Sequence, residues 1–115
     1  MARGDIVTVD LPVPSDRAGH EQVGPRPAII VQTDAADTSL PTTMVVPLTS
    51  NLSALRFPFT LRVDPSLQNG LTESSVLLVF QLRAIDKRRL GNNIGRLEQC
   101  HVRQLEAEMR RLLSL

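Results

Sequence analysis

The chain has no tryptophan, no tyrosine and only three phenylalanines, so it lacks the aromatic platforms on which many RNA-binding modules stack bases. Its single cysteine, Cys100, excludes an internal disulfide and a cysteine-based zinc site. The two histidines are far apart and no acidic pair has ligand spacing, so we expect neither a metal site nor a cofactor. The longest apolar run, 76–80, is too short for a membrane span, and no signal peptide is apparent.

A length of 115 residues predicts one domain, 1–115, and a hydrophobic fraction of 42% is enough for a core. The charge is unevenly placed. Residues 1–81 carry five Lys and Arg against eight Asp and Glu, whereas residues 82–115 carry eight against four. Charge alone leaves two interpretations open: a basic third that attracts phosphate, or a solvated helix face with a basic turn at 87–89.

All eight prolines lie between Pro12 and Pro65, which favours strands and loops there and a helix later. Alternating and apolar patterns predict five or six short strands, at 5–11, 27–33, 42–49, 59–63, 75–82 and, less regularly, 94–97. Residues 85–90 are predicted to form a short helical turn. Pro47 should lie at a sheet edge or a bulge, because proline cannot donate to a ladder.

An apolar stripe predicts an amphipathic helix over Gln99–Leu113, with Val102, Leu105, Met109 and Leu112 facing the core. The predicted fold class is mainly β with a C-terminal helix, in which the helix caps a small, strongly bent sheet or half-open barrel.

Two polar segments are candidates for chemistry. In 20–27 (HEQVGPRP), Pro25 and Pro27 restrict the backbone around Arg26 and so preset the direction of its guanidinium. The alternative is an ordinary polar loop in which Arg26 pairs with Glu21. The second segment, 47–51 (PLTSN), places hydroxyls and an amide at a strand end, and simple turn chemistry is its alternative.

Geometry connects these two segments. If strands 26–33 and 42–49 form an antiparallel hairpin centred between Asp37 and Thr38, Arg26 faces Thr49, with Cβ atoms roughly 5 Å apart. A slip of one residue would put the two side chains on opposite faces of the sheet.

Four segments also occur in a recognisable order: RGDIV at 3–7, EQVGPRP at 21–27, VPLTS at 46–50 and QLRAIDKRRL at 81–90. In them the chain resembles the MazF/PemK toxins, the ribonuclease halves of toxin–antitoxin pairs, over about residues 3–113. The resemblance implies a small SH3-like barrel of the PemK/MazF/CcdB type, assembled as a homodimer. It also implies metal-independent, sequence-selective cleavage of single-stranded RNA, mostly mRNA, in the cytoplasm. A cognate MazE-like antitoxin with an acidic C-terminal tail is the expected partner.

The resemblance makes Arg26 and Thr49 catalytic and places Glu21, Gln22 and Gln81 along the RNA groove. We expect Ser50, Asn51 and Arg83 to line the same groove, flanked by Lys87. Two departures are Phe80, where PemK-like members have a catalytic aspartate, and Leu78, where they have an arginine. That acid–base pair is therefore absent, whereas His20 keeps the position of a PemK-like histidine.

Metal-free cleavage proceeds by attack of the ribose 2′-hydroxyl on its own 3′-phosphate. Arg26 suits the stabilisation of the phosphorane, and Thr49 can donate a hydrogen bond to the same phosphate. His20 is the candidate general base or acid, although a role in lining the groove is equally compatible with the sequence.

Two other classes of function remain as alternatives. One is a catalytically weak binding toxin of the same fold, a CcdB-like gyrase poison, and the other is a plain dimerisation domain. Retention of both Arg26 and Thr49 favours the nuclease, whereas Phe80 in place of an acid favours the binding toxin slightly.

Overall fold

The computed structural model describes residues 2–10, 25–34 and 39–115. They form a seven-stranded antiparallel sheet followed by one α-helix. The strands are β1 (Asp5–Asp10), β2 (Pro25–Ile30), β3 (Thr42–Thr49), β4 (Thr60–Val63), β5 (Ser75–Leu78), β6 (Arg83–Asp86) and β7 (Leu90–Arg96), and the helix is α1 (Gln99–Leu113). The mainly β fold with a C-terminal helix is thus confirmed.

The prediction of five or six strands was wrong by at least one, and the differences lie between residues 75 and 96. The predicted strand 75–82 ends at Leu78 and continues as a 3₁₀ turn, Val79–Gln81. The predicted helical turn 85–90 is shorter, Lys87–Arg89, because β6 precedes it and β7 already begins at Leu90. An apolar run does not reveal where its strand must break to reach a new partner.

That break occurs because β3 has different neighbours along one side. Its residues 42–45 pair with β6, whereas Leu48 and Thr49 pair with β5. On its other side β3 pairs with β2, so the sheet order is β4-β5-β3-β2-β1-β7, with β6 also on β3. Pro47, predicted at a sheet edge or a bulge, is not at an edge: it lies in this central strand and pairs with Ala28 of β2. On the other side of β3 it falls in the gap between the segments paired with β6 and β5.

The sheet buries apolar side chains on both faces. The larger core contains Ile29, Val46 and Leu48 and is covered by α1, whose Val102 and Leu105 are buried as the helical stripe predicts. The smaller core lies on the opposite face and consists of Val7, Val9, Ala28, Ile30, Val45 and Ile85. Within the described part of the chain, no helix is long and apolar enough to cross a membrane.

A polar clamp, which we define as residues 64–70 together with Glu98, ties the connection after β4 to the start of α1. Asn69 is fully buried, and its Oδ1 accepts hydrogen bonds from the amides of Ser66 and Leu71, both at 3.0 Å. Its Nδ2 donates to the Asp64 carbonyl (2.9 Å) and to Glu98 Oε1 (3.2 Å). Gly70 has φ +69°, and a Cβ there would lie 1.8 Å from the Ile94 carbonyl oxygen, so the clamp also packs tightly against β7.

Candidate active site

Arg26 lies in β2 and pairs with Val9 of β1, so its backbone belongs to the sheet. The side chain is half-buried, and its Nε is buried with no hydrogen-bond partner among the described residues. A buried donor without a partner costs free energy. An anion bound at this guanidinium would supply the missing acceptor.

Thr49 ends β3 at a capped turn. Its Oγ1 accepts a hydrogen bond from the Asn51 amide (3.2 Å). Asn51 in turn caps the 3₁₀ turn Leu52–Arg56, because its Oδ1 accepts from the amide (3.1 Å) and the hydroxyl (2.7 Å) of Ser53. The turn chemistry predicted as the alternative is therefore present, and it leaves the Thr49 hydroxyl proton available for a ligand.

The hairpin register predicted from the sequence is confirmed. The described pairs of β2 and β3 are Ala28–Pro47, Ile29–Val46 and Ile30–Val45. Continued by two residues, this register sets Arg26 opposite Thr49. Both residues alternate with members of the smaller core along their strands, so they belong to the same face of the sheet.

The other predicted groove residues divide into two groups. Ser50 and Asn51 are exposed directly after Thr49, and Arg83 is exposed at the start of β6, on the face of Ile85 and the smaller core. Arg83 pairs with Val45, four residues before Thr49, so roughly 13 Å of strand separates it from Thr49. Gln81 is exposed at the end of the turn between β5 and β6, and no described contact links it to Arg26 or Thr49.

Three predicted site residues, His20, Glu21 and Gln22, lie outside the described residues. Their roles, including the alternative ion pair between Arg26 and Glu21, stay predictions. Among residues 2–10, 25–34 and 39–115, no three His, Cys, Asp or Glu side chains are grouped so that they could hold a metal ion.

The basic turn Lys87–Arg89 uses part of its charge internally. Arg88 donates to Asp86 from its backbone amide (2.8 Å) and from its guanidinium (2.9 Å). These two hydrogen bonds, the side-chain one first, lower the pKa of Asp86 to about 2. The Arg83 side chain, in contrast, makes no hydrogen bond or ion pair with another described residue. For Arg88 the structure thus favours the second interpretation of the charge, a basic turn that does not bind phosphate. Arg83 has no such partner among the described residues, so its guanidinium can contact phosphate.

A pair of aromatic rings, on segments that follow Thr49 and β5, was not predicted from the sequence. Phe57 follows the turn that Asn51 caps, and its ring centroid lies 5.5 Å from that of Phe80. A signal was present, because two of the three phenylalanines fall at 57 and 59 and the third, Phe80, ends the apolar run 76–80. Only the fold brings these segments together.

The fold and the site together define the class of protein. It is a mainly β domain with an antiparallel sheet, a C-terminal helix and a polar site where β2 begins and β3 ends. A model of the family "PemK-like, MazF-like toxin of type II toxin-antitoxin system" matches residues 2–113. The chain belongs to this toxin family.

Individual relatives agree with the family match. The chain is 31% identical over 115 residues to "Endoribonuclease EndoA" of Bacillus subtilis strain 168, which covers 100% of this chain and 96% of that protein. It is also 31% identical over 105 residues to "Endoribonuclease MazF" of Staphylococcus saprophyticus, covering 91% and 84%. Among solved structures, a MazE–MazF crystal structure from Deinococcus radiodurans is similar with a TM-score of 0.78 and 26% identity, covering 100% of this chain and 96% of that one.

Proposed function

We propose that this chain is the toxin of a type II toxin–antitoxin pair and acts as a sequence-selective endoribonuclease on single-stranded RNA, chiefly mRNA in the cytoplasm. Family membership and two relatives named endoribonucleases support the reaction class. The observation that supports the site is the β2–β3 register, which would bring Arg26 opposite Thr49 if it continued by two residues. The buried Nε of Arg26 has no hydrogen-bond partner among the described residues, so it could donate to a phosphate.

The proposed reaction needs no group beyond the protein and the RNA. The 2′-hydroxyl loses its proton and attacks its own 3′-phosphorus, and the bond from phosphorus to the 5′-oxygen breaks as that oxygen gains a proton. Arg26 stabilises the charge on the phosphorane, and Thr49 donates a hydrogen bond to it. His20 remains the candidate for moving a proton, and Glu21, Gln22 and Gln81 remain candidates for holding the RNA.

A MazE-like antitoxin is the proposed protein partner, because solved MazE–MazF complexes are among the structures that this chain resembles. An acidic tail would be attracted by the same positive charges that bind phosphate, namely Arg26 and Arg83. We therefore expect the antitoxin to inhibit cleavage by occupying the RNA groove.

A homodimer is proposed for the face where α1 meets the sheet. A cavity of about 390 Å³ there is lined mainly by apolar residues, Val31, Met44, Leu82, Met109, Leu113 and Leu115 among them. Its rim carries Arg110 and the ion pair between Arg3 and Glu106 (3.0 Å), so charged groups surround an apolar centre that a twofold contact would bury. Light scattering should give twice the mass of the chain for the wild type and the mass of one chain for Leu113→Glu. A dimeric Leu113→Glu would contradict this interface, and Leu67→Glu, at a fully exposed site, is the control.

The cleavage reaction is tested with three matched oligonucleotides: RNA, the same RNA with a 2′-O-methyl group at the cleaved position, and DNA. Only the first should be cut, in the presence of excess EDTA, to a 2′,3′-cyclic phosphate and a 5′-hydroxyl. Inhibition by EDTA that added magnesium reverses would contradict the mechanism. A folded wild-type protein that cuts no RNA would favour the CcdB-like alternative.

A further inference from the structure

Arg56, Phe57 and Phe80 form an exposed cluster, which we call the aromatic patch. The two ring planes are inclined at 59°, and the residues are 42% and 38% exposed, so both rings reach solvent. The guanidinium of Arg56 lies 4.6 Å from the centroid of the Phe57 ring. Two of the three phenylalanines of the chain therefore lie together at its surface.

Hydrogen bonds to the main chain of Phe57 and Phe80 fix the backbone that carries the two rings. The Phe57 amide donates to the Ala54 carbonyl (3.1 Å), and the Phe80 amide donates to the Phe59 carbonyl (3.3 Å). The Thr60 hydroxyl donates to the Phe57 carbonyl (2.9 Å). Rings that are already positioned lose little conformational entropy when a ligand stacks on them.

The aromatic patch is connected to the candidate active site by both of its segments. Asn51, which donates to Thr49, caps the 3₁₀ turn that ends at Arg56. On the second segment, Val76 pairs with Thr49, and Phe80 follows four residues later. The Cα atoms of Val76 and Phe80 are therefore at most ~14 Å apart, which brings the patch within reach of nucleotides flanking the cleaved bond.

The charge around the aromatic patch favours a nucleic acid. Segments 50–63 and 74–85 contain no Asp or Glu but include Arg56 and Arg83. An unpaired nucleotide offers a π-face to the rings and a negative phosphate to the guanidinium groups. An apolar peptide would match the rings but not the excess of positive charge.

We infer that the aromatic patch stacks one unpaired base of the RNA substrate near the cleaved bond and thereby contributes to the affinity for the substrate. The inference rests on the proposed ribonuclease function. It assigns Phe57 and Phe80 as binding residues and gives them no part in proton transfer. It also replaces the expectation, drawn from composition alone, that the chain has no aromatic platform.

The test measures the affinity of the full-length protein for an uncleavable RNA carrying a 2′-O-methyl group at the cleaved position. Phe80→Ala should weaken binding about 5- to 150-fold, the range expected for loss of one stacked base. Phe80→Tyr keeps the π-face and should bind like the wild type. Leu67→Ala, which changes an exposed leucine outside the patch, is the matched control and should have no effect.

An abasic scan of the same RNA identifies the stacked nucleotide. One abasic position should weaken binding to the wild type, and that loss should disappear in Phe80→Ala, because each change removes the same contact. Unchanged thermal unfolding of Phe80→Ala separates a local effect from misfolding.

Two results would overturn the inference. Additive losses at every abasic position would show that no base stacks on Phe80, and weakened antitoxin binding with unchanged RNA affinity would assign the patch to the protein partner. In either case the wild type would still cleave RNA, so the proposed function would survive. A wild type that neither binds nor cleaves RNA would instead remove the proposed function, and the inference with it.

Discussion

The polar clamp and the candidate active site differ in whether their buried polar atoms have hydrogen-bond partners. In the clamp, the buried amide of Asn69 uses both its oxygen and its nitrogen in hydrogen bonds to other residues. At the site, the buried Nε of Arg26 has no acceptor among the described residues. The clamp is thus complete without a ligand and stabilises the fold, whereas the described part of the site leaves one buried donor for which a bound anion would supply the acceptor.

The largest effect should follow from Arg26→Ala, measured as the initial rate of RNA cleavage. We expect a loss of about 100- to 1,000-fold or more, the range for removal of one group that stabilises transition-state charge. Stability should not fall by more than about 1 kcal/mol, because the buried Nε makes no hydrogen bond to any residue of 2–10, 25–34 or 39–115. Arg103→Ala on the exposed face of α1 is the control and should keep full activity. A fully active Arg26→Ala would remove the site assignment.

Asn69→Ala should show the reverse pattern, a large loss of stability with little loss of activity. Losing the buried amide leaves several backbone and side-chain partners unsatisfied, so the free energy of unfolding should fall by about 2–3 kcal/mol in denaturant titrations. The rate of RNA cleavage per folded molecule should stay within about twofold of the wild type. Gln68→Ala, at the exposed neighbouring position, is the control for a substitution in the same loop and should leave the free energy of unfolding unchanged. A large fall in activity without a loss of stability would show that clamp and site are not separable.

Glu98→Gln should lower the free energy of unfolding by a smaller amount, and the size of this loss should depend on pH. Burial raises the pKa of the Glu98 carboxyl, but hydrogen bonds from Ser66, from its own backbone amide and from Asn69 outweigh this and place the pKa below its ordinary value of 4.5. A lowered folded pKa stabilises the protein above the ordinary pKa, and this stabilisation is lost as the pH falls through the folded value.

We therefore expect Glu98→Gln to cost about 1 kcal/mol near neutral pH, mainly through weaker hydrogen bonds, and less as the medium becomes acidic. Denaturant midpoints measured from neutral pH to below pH 4 test this prediction. Curves for the variant and the wild type that stay parallel over that range would contradict the assigned pKa shift.

Local features of this protein were predictable from the sequence, and distant ones were not. The register of β2 against β3 followed from the length of one connection, and the buried face of α1 followed from its apolar spacing. The aromatic patch depends on strands that place Phe57 beside Phe80, and local periodicity carries no such information. The structural role of Asn69 was not predicted, because its partner Glu98 lies 29 residues further along the chain.

The pairing of β1 with β7 has a consequence for folding during synthesis of the protein. Val9 pairs with Arg26 on one side and with Leu90 on the other, so the strand beside Arg26 gains its second neighbour only when the late part of the chain has been made. Contacts between residues so distant in sequence form slowly and cannot form during early synthesis. A nascent chain therefore remains without its finished sheet until the residues of β7 have been synthesised.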